Sequence, residues 1–196
     1  MWTGTVPRVH YETMGTRFFS LAAVLGVLFA PAAAFAELPV GSPAPEFATQ
    51  GALAGKTYAF NLKTALSKGP VVLYFFPKAF TQGCTLETRA FAQAHDDFAA
   101  AGATVVGMSA DDLPTLKRFS TEECRSKFAV AVATPAIIKA YDVALKRAGL
   151  PAGLSDRTSY VIATDGTITF VHSDLQYNDH VSLTLAAVRK LHDSAD

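Results

Sequence analysis

The chain has 196 residues, of which 50% are hydrophobic, 17% charged and 11% aromatic, so there is apolar surface for one packed core and a disordered chain or fibrous repeat is excluded. Seventeen Lys and Arg offset seventeen Asp and Glu, which leaves no basic excess to neutralise the phosphates of a nucleic acid. Two cysteines are too few for a disulfide-dense scaffold or a Cys-rich zinc module.

The first 36 residues read as an export signal. Arg8 and Arg17 precede an apolar run over 18–30, and Ala34-Phe35-Ala36 supplies the small-residue end at which a secretory signal is cut. Translation from Met14 gives the same signal, with Arg17 as its charge. The apolar run falls short of the ~20 residues that span a bilayer, which favours cleavage after Ala36 over an uncleaved anchor. The expectation is therefore a signal peptide over 1–36 and a single domain over 37–196. That domain is expected to be exported, to a bacterial periplasm, with no stable membrane insertion after cleavage. Both Cys84 and Cys124 stay with it, in a compartment where a disulfide can persist.

Residues 37–50 contain Pro39, Pro43 and Pro45 and predict an extended arm. Residues 71–76 are apolar on both faces and rich in Val and aromatics, as a central strand is, and Pro77 ends the run. Leu86, Ala90, Phe91, Ala94 and Phe98 recur at helical spacing and predict one helix over 84–101, closed by Gly102. A second buried strand follows at 104–109. Asp111, Asp112 and Pro114 open a helix that reaches about 127. Residues 130–133 form a short apolar strand, and Thr134-Pro135 caps a helix to about 141. Two strand-like runs, 158–163 and 167–172, flank Asp165-Gly166, a hairpin signal, and 179–192 reads as a final helix. Early parallel β-α-β units and a late antiparallel pair predict an α/β fold, a mixed central β-sheet covered by helices.

The chemistry is concentrated where the first predicted strand runs out. Its loop delivers Cys84 to a helix N-terminus, where unpaired backbone N–H groups favour negative charge and hence the nucleophilic thiolate. Thr81, three residues earlier, offers a hydroxyl that can accept from the backbone and donate to a bound oxygen. Pro77 stiffens the loop entry and shields the site from water. Position alone leaves open an inert, buried cysteine.

Pro77, Thr81 and Cys84 together match Pro-x-x-x-Thr-x-x-Cys, the active-site signature of the peroxiredoxins. The stretch Phe75-Phe-Pro-Lys-Ala-Phe-Thr-Gln-Gly-Cys-Thr85 resembles the bacterioferritin comigratory protein, or Q-type, branch. So do Glu87, three residues after the cysteine, Arg157-Thr-Ser-Tyr-Val-Ile162 ahead of the Asp-Gly hairpin, and the opening Val40-Gly-Ser-Pro-Ala-Pro-Glu-Phe47. The resemblance covers residues 38–191. It implies a thioredoxin-like three-layer sandwich and a thiol-dependent peroxidase acting on hydrogen peroxide and organic hydroperoxides. In that reading Cys84 attacks the peroxide and becomes a sulfenic acid. Thr81 hydrogen-bonds the peroxide, Arg157 holds the thiolate and the transition-state charge, and Glu87 orients an arginine or the helix start. Glu87 is also an ordinary first-turn acid.

Two positions depart from the branch. Gln82 stands where Pro is usual, and Arg89 stands where many members carry a resolving cysteine. Another subset carries it on the third helix, which implies that Cys124 resolves Cys84 as an intramolecular disulfide. A permanent bridge and an unrelated thiol are the alternatives. The resemblance further implies a monomer, no cofactor or metal, and an extracytoplasmic reductant of thioredoxin or glutaredoxin type. A one-cysteine peroxidase, a redox sensor and a thiol–disulfide oxidoreductase of the same fold are the competing readings. The last is weakened by Thr81, which stands where the first cysteine of a Cys-x-x-Cys pair would be. His172 and His180 lack ligand spacing and read as ordinary polar residues, and no Gly-rich phosphate loop is present.

Overall fold

In the computed structural model, which describes residues 1–5, 10, 37–147 and 149–194, seven strands form one mixed sheet. The cleavage site and apolar run of the expected signal lie outside the described residues. Strands β1 (Ala48–Leu53) and β2 (Lys56–Asn61) make an antiparallel hairpin. A short helix, α1 (Leu62–Leu66), follows, its first turn closed by the Asn61 side chain accepting from Thr64 N–H. Then come β3 (Val71–Phe75), α2 (Gln82–Gln93), α3 (His95–Ala100), β4 (Thr104–Ser109) and α4 (Leu113–Glu122). The order closes with β5 (Ala129–Val132), α5 (Pro135–Ala140), β6 (Thr158–Ile162), β7 (Ile168–Ser173) and α6 (His180–Asp193).

The strands lie in the order β2-β1-β5-β4-β3-β6-β7. Only β3, β4 and β5 are mutually parallel; the flanking pairs are antiparallel. Because side chains alternate across a strand, the central strand supplies two cores. Val72 and Tyr74, with Phe76 just beyond, pack with Phe91, Phe98, Phe119 and Val188 of the helices on one face. Val71, Leu73 and Phe75 pack with Leu62, Ile137, Tyr141 and Tyr160 on the other. This is the three-layer α/β arrangement expected from the sequence. Among the described residues no helix is long and apolar enough to cross a membrane.

Three local expectations differ. Strand β1 begins at Ala48, inside the arm expected over 37–50, and β2 and α1 fill a stretch beyond it for which the sequence predicts no element. The helix expected over 84–101 is two, broken at Ala94, whose backbone leaves helical values. Asp96 and Asp97 then occupy the first turn of α3, where carboxylates are favoured, and are exposed. The helix expected to reach 127 stops at Glu122. There Glu123 N–H and Cys124 N–H both turn back to Phe119 O, and Arg125 and Ser126 adopt left-handed backbone (φ 51° and 58°). Cys124 therefore sits in a turn just past α4, not on the helix.

Candidate active site

The loop after β3 is pinned at both ends. Phe76 N–H continues the sheet by donating to Met108 O at 3.0 Å, and Ser155 Oγ donates to Phe76 O at 2.8 Å. Pro77 then offers no N–H and the chain leaves the sheet. Asp111 holds the next turn, accepting from Ala79 N–H at 2.7 Å and from Ser109 Oγ at 2.6 Å through one oxygen. Phe80 adopts φ 62°, sets its ring edge-on to Phe119 and lies beneath the Arg118 guanidinium. Thr81 is the N-cap residue of α2, but its hydroxyl donates to Lys78 O at 2.9 Å and does not cap the helix. Its proton is thus engaged by a backbone carbonyl, whereas the sequence predicts a hydroxyl that accepts from the backbone and donates to a bound oxygen. With no side-chain cap, the first-turn N–H groups around Cys84 keep their capacity for an anion.

Register explains how Arg157 reaches that turn. Phe75 pairs with Thr158 across β3 and β6, so Arg157, one residue ahead of β6, lies beside the start of the loop. Its guanidinium makes three separate contacts. Nη2 donates to Cys84 Sγ at 3.5 Å, Nε donates to Leu175 O at 2.9 Å, and Nη1 donates to Glu87 Oε2. Burial opposes the charge on Arg157, but Glu87 and Cys84 outweigh it and hold the group protonated above its ordinary value. Cys84 itself is 1% exposed.

Glu87 is fully buried one helical turn after Cys84. Burial pushes its carboxyl up to about 8, against the opposing pull of Arg157. Beyond it stands His180, the first residue of α6 and also fully buried. His180 Nε2 donates to Asp174 O at 2.8 Å, and Nδ1 lies 2.9 Å from Ser159 Oγ and 3.7 Å from Glu87 Oε1. Burial lowers the imidazole to about 4.

The fold thus brings Cys84, Arg157 and Glu87 together, with Pro77 and Thr81 on the adjoining loop. Cys124 belongs to the same apolar layer as Cys84, and both are free, buried thiols. Burial, with a contribution from the neighbouring Glu123, pushes the Cys124 thiol well above its ordinary value. Arg89, at the position that distinguishes this chain from many resembling it, donates through Nε to Glu123 at 2.5 Å and so ties α2 to the end of α4. Gln82 is exposed. His180 is not the ordinary polar residue expected from sequence. It lies far from Cys84 in the chain, and only the β6–β7 hairpin and the return of α6 carry it there. Ser159, two residues after Arg157 and so on the same face of β6, is the one part of that contact the sequence pattern could have shown.

Comparison with known proteins agrees with this construction. Residues 40–171 match the model of the AhpC/TSA family. Over 192 residues the chain is 31% identical to a chloroplastic peroxiredoxin Q of Triticum aestivum, covering 88% of this chain and 84% of that one. Among solved structures, the peroxidoxin BcpB of Mycobacterium tuberculosis superposes with a TM-score of 0.69 at 28% identity, over 79% of this chain and 98% of that one. The bacterioferritin comigratory protein of Xanthomonas campestris, described for its alkyl peroxide reduction activity, superposes with a TM-score of 0.64 at 25% identity, over 73% and 91%. The thioredoxin-like fold implied by the active-site loop is the fold observed, and the chain belongs to the AhpC/TSA family, as a peroxiredoxin related to the Q and bacterioferritin comigratory proteins and an oxidoreductase of the peroxidase class.

Proposed function

We propose that the chain reduces hydrogen peroxide and organic hydroperoxides through Cys84 and completes the cycle through Cys124. The observation that carries this reading is the Arg157 Nη2 donation to Cys84 Sγ in the first turn of α2. A fixed cation and open N–H groups on one side of a thiolate are preorganised for charge that moves onto oxygen as the peroxide bond breaks. The thiolate attacks the terminal peroxide oxygen and the O–O bond breaks. The departing oxygen takes a proton and leaves as water or an alcohol, and Cys84 becomes a sulfenic acid. Pro77 limits water at this step, while Thr81 lone pairs accept from the peroxide O–H. Arg157, held in place by Glu87 and Leu175 O, stays on the sulfur side of the reaction.

In the second step Cys124 gives up its proton and attacks Cys84 Sγ as a thiolate, the S–O bond breaks, and the departing hydroxide takes a proton to leave as water, giving a Cys84–Cys124 disulfide. Burial disfavours that thiolate in the closed form, so the end of α4 opens first. An external dithiol of thioredoxin or glutaredoxin type then returns both cysteines to thiols. Export through the N-terminal signal places that donor outside the cytoplasm, and the working form is a monomer.

Intact mass after one equivalent of hydrogen peroxide tests the scheme. The expected result is a rapid loss of two hydrogens, mapped to Cys84–Cys124, and no peroxide consumption by Cys84→Ser. A stable gain of one oxygen on Cys84 would replace the second step with an external thiol. Wild-type turnover in Cys84→Ser would overturn the assignment.

A further inference from the structure

Glu87 Oε1 is the one buried side-chain oxygen or nitrogen among the described residues that has no hydrogen-bond partner. Burying such an atom costs about 1–3 kcal/mol, so its neighbour is informative. That neighbour is His180 Nδ1, at 3.7 Å, with both side chains fully buried. The protonation of the pair is constrained by its surroundings. His180 Nε2 faces a carbonyl, which can only accept, so Nε2 always carries hydrogen. Nδ1 is then the only ring atom that changes state, and the Ser159 hydroxyl beside it can donate or accept to suit.

The charges that face the pair leave room for one proton. Arg157, ahead of β6, and His172, on β7 with its ring centroid 4.5 Å from that of His180, both oppose an imidazolium. Asp174, in the loop before α6, favours one. On the other side Glu87 meets Arg157, and the hydroxyl of Tyr74 on β3 feels both Glu87 and Cys84. Two protons would place a second buried cation beside Arg157. None would leave a buried carboxylate competing with the Cys84 thiolate for a single guanidinium.

We propose that His180 is a positioning residue that shares one proton with Glu87, between Oε1 and Nδ1, and so keeps Glu87 neutral while Arg157 serves the Cys84 thiolate. A small side-chain rotation closes 3.7 Å to hydrogen-bond length. The inference rests on the reading of Cys84 as the reacting thiolate, but its test needs no peroxide.

The measurement is the pH dependence of Cys84 alkylation by iodoacetamide, read by peptide mass on the whole protein. His180→Gln keeps a donor for Asp174 O and removes Nδ1. It should move the alkylation midpoint upward by about one pH unit, a roughly tenfold lower rate at neutral pH. Glu87→Gln supplies a permanent N–H toward Nδ1 and a carbonyl toward Arg157 without titrating. In that background His180→Gln should move the midpoint by less than about a third as much. Equal shifts in the two backgrounds would show that His180 only packs, and no shift in either would remove it from the site. If His180→Gln fails to fold, the single variants still decide: the wild-type profile should show a second inflection near pH 8 that Glu87→Gln lacks, and its absence overturns the proposal. Failure here with normal Cys84-dependent peroxide consumption would leave the peroxidase reading intact. Loss of that consumption would overturn the other.

Discussion

Arg157 shows what one side chain can do when its geometry is fixed. Three of its donors face three different groups, and a planar fork matches them in a way a single ammonium cannot. Arg157→Lys keeps the charge but cannot span Leu175 O, Glu87 and Cys84 together. The expected outcome is a roughly 10²-fold slower oxidation of Cys84 by hydrogen peroxide, the usual scale for losing one preorganised donor. Rapid quench followed by mass analysis measures it, and a slowing below about threefold would remove Arg157 from the reaction. Arg157→Ala is the less informative change, because it also removes the donor to the buried Glu87 Oε2 and leaves a second oxygen of that carboxyl unpartnered, at about 1–3 kcal/mol of stability.

At the scale of elements, the proposed second step needs the first turn of α2 and the end of α4 to open, and Arg89 ties the body of α2 to the second of these. Its contact with Glu123 bridges α2 to the turn that holds Cys124. The pair is half-exposed on the arginine side, which puts its worth near 1 kcal/mol. Arg89→Ala is therefore expected to speed Cys84–Cys124 disulfide formation by about two- to fivefold, without changing the first oxidation. Quenched-flow alkylation and peptide mapping would follow both steps, and an unchanged second step would show that the two ends open independently of this contact.

The same elements show what could be read in advance. The central strand, the Cys84 loop and the Asp165-Gly166 hairpin announce themselves through apolar runs, Pro77 and turn chemistry, and each is observed. The β1–β2 hairpin does not, because Gly51, Ala52 and Ala54 have little strand preference and its pairing is settled by contact with β5. The break at Ala94 is equally silent, since alanine is a strong helix former and Phe91 and Phe98, seven residues apart, keep the spacing of one continuous helix across it. Of the site, Cys84, Thr81, Arg157, Glu87 and Pro77 were legible as a motif. His180 was not, because no spacing along the chain encodes a contact made by the return of a distant helix.

For the whole molecule, Glu87 and His180 make a joint contribution to stability. Burial lowers His180 to about 4 and raises Glu87 to about 8. A depressed histidine adds stability above its unfolded value near 6.5, lost as pH falls through the folded value; a raised carboxyl adds stability below its unfolded value near 4.5, lost as pH rises through about 8. Between roughly 4.5 and 6.5 the folded and unfolded pairs each hold one proton, and the two slopes cancel. Between about 6.5 and 8 only the folded pair does, so stability falls as pH rises, by at most about 2 kcal/mol. Glu87→Gln should flatten that alkaline loss and expose the acid-side loss of His180 below pH 6.5. Thermal unfolding across pH 4–9 would show it, and an alkaline slope unchanged in the variant would contradict it.

The seven-stranded sheet also acts as a partition. Both sulfurs lie in the layer built from Tyr74, Phe76, Phe91 and Phe119, while the layer of Phe75, Tyr141 and Tyr160 contains neither. The proposed thiol exchange would thus be confined to one flank, with the opposite flank as a keel. In the proposed cycle two helix ends would loosen on each turnover while the β ladder and the far core keep the fold in place. The proposed reducing partner would likewise have one side of the sheet to address.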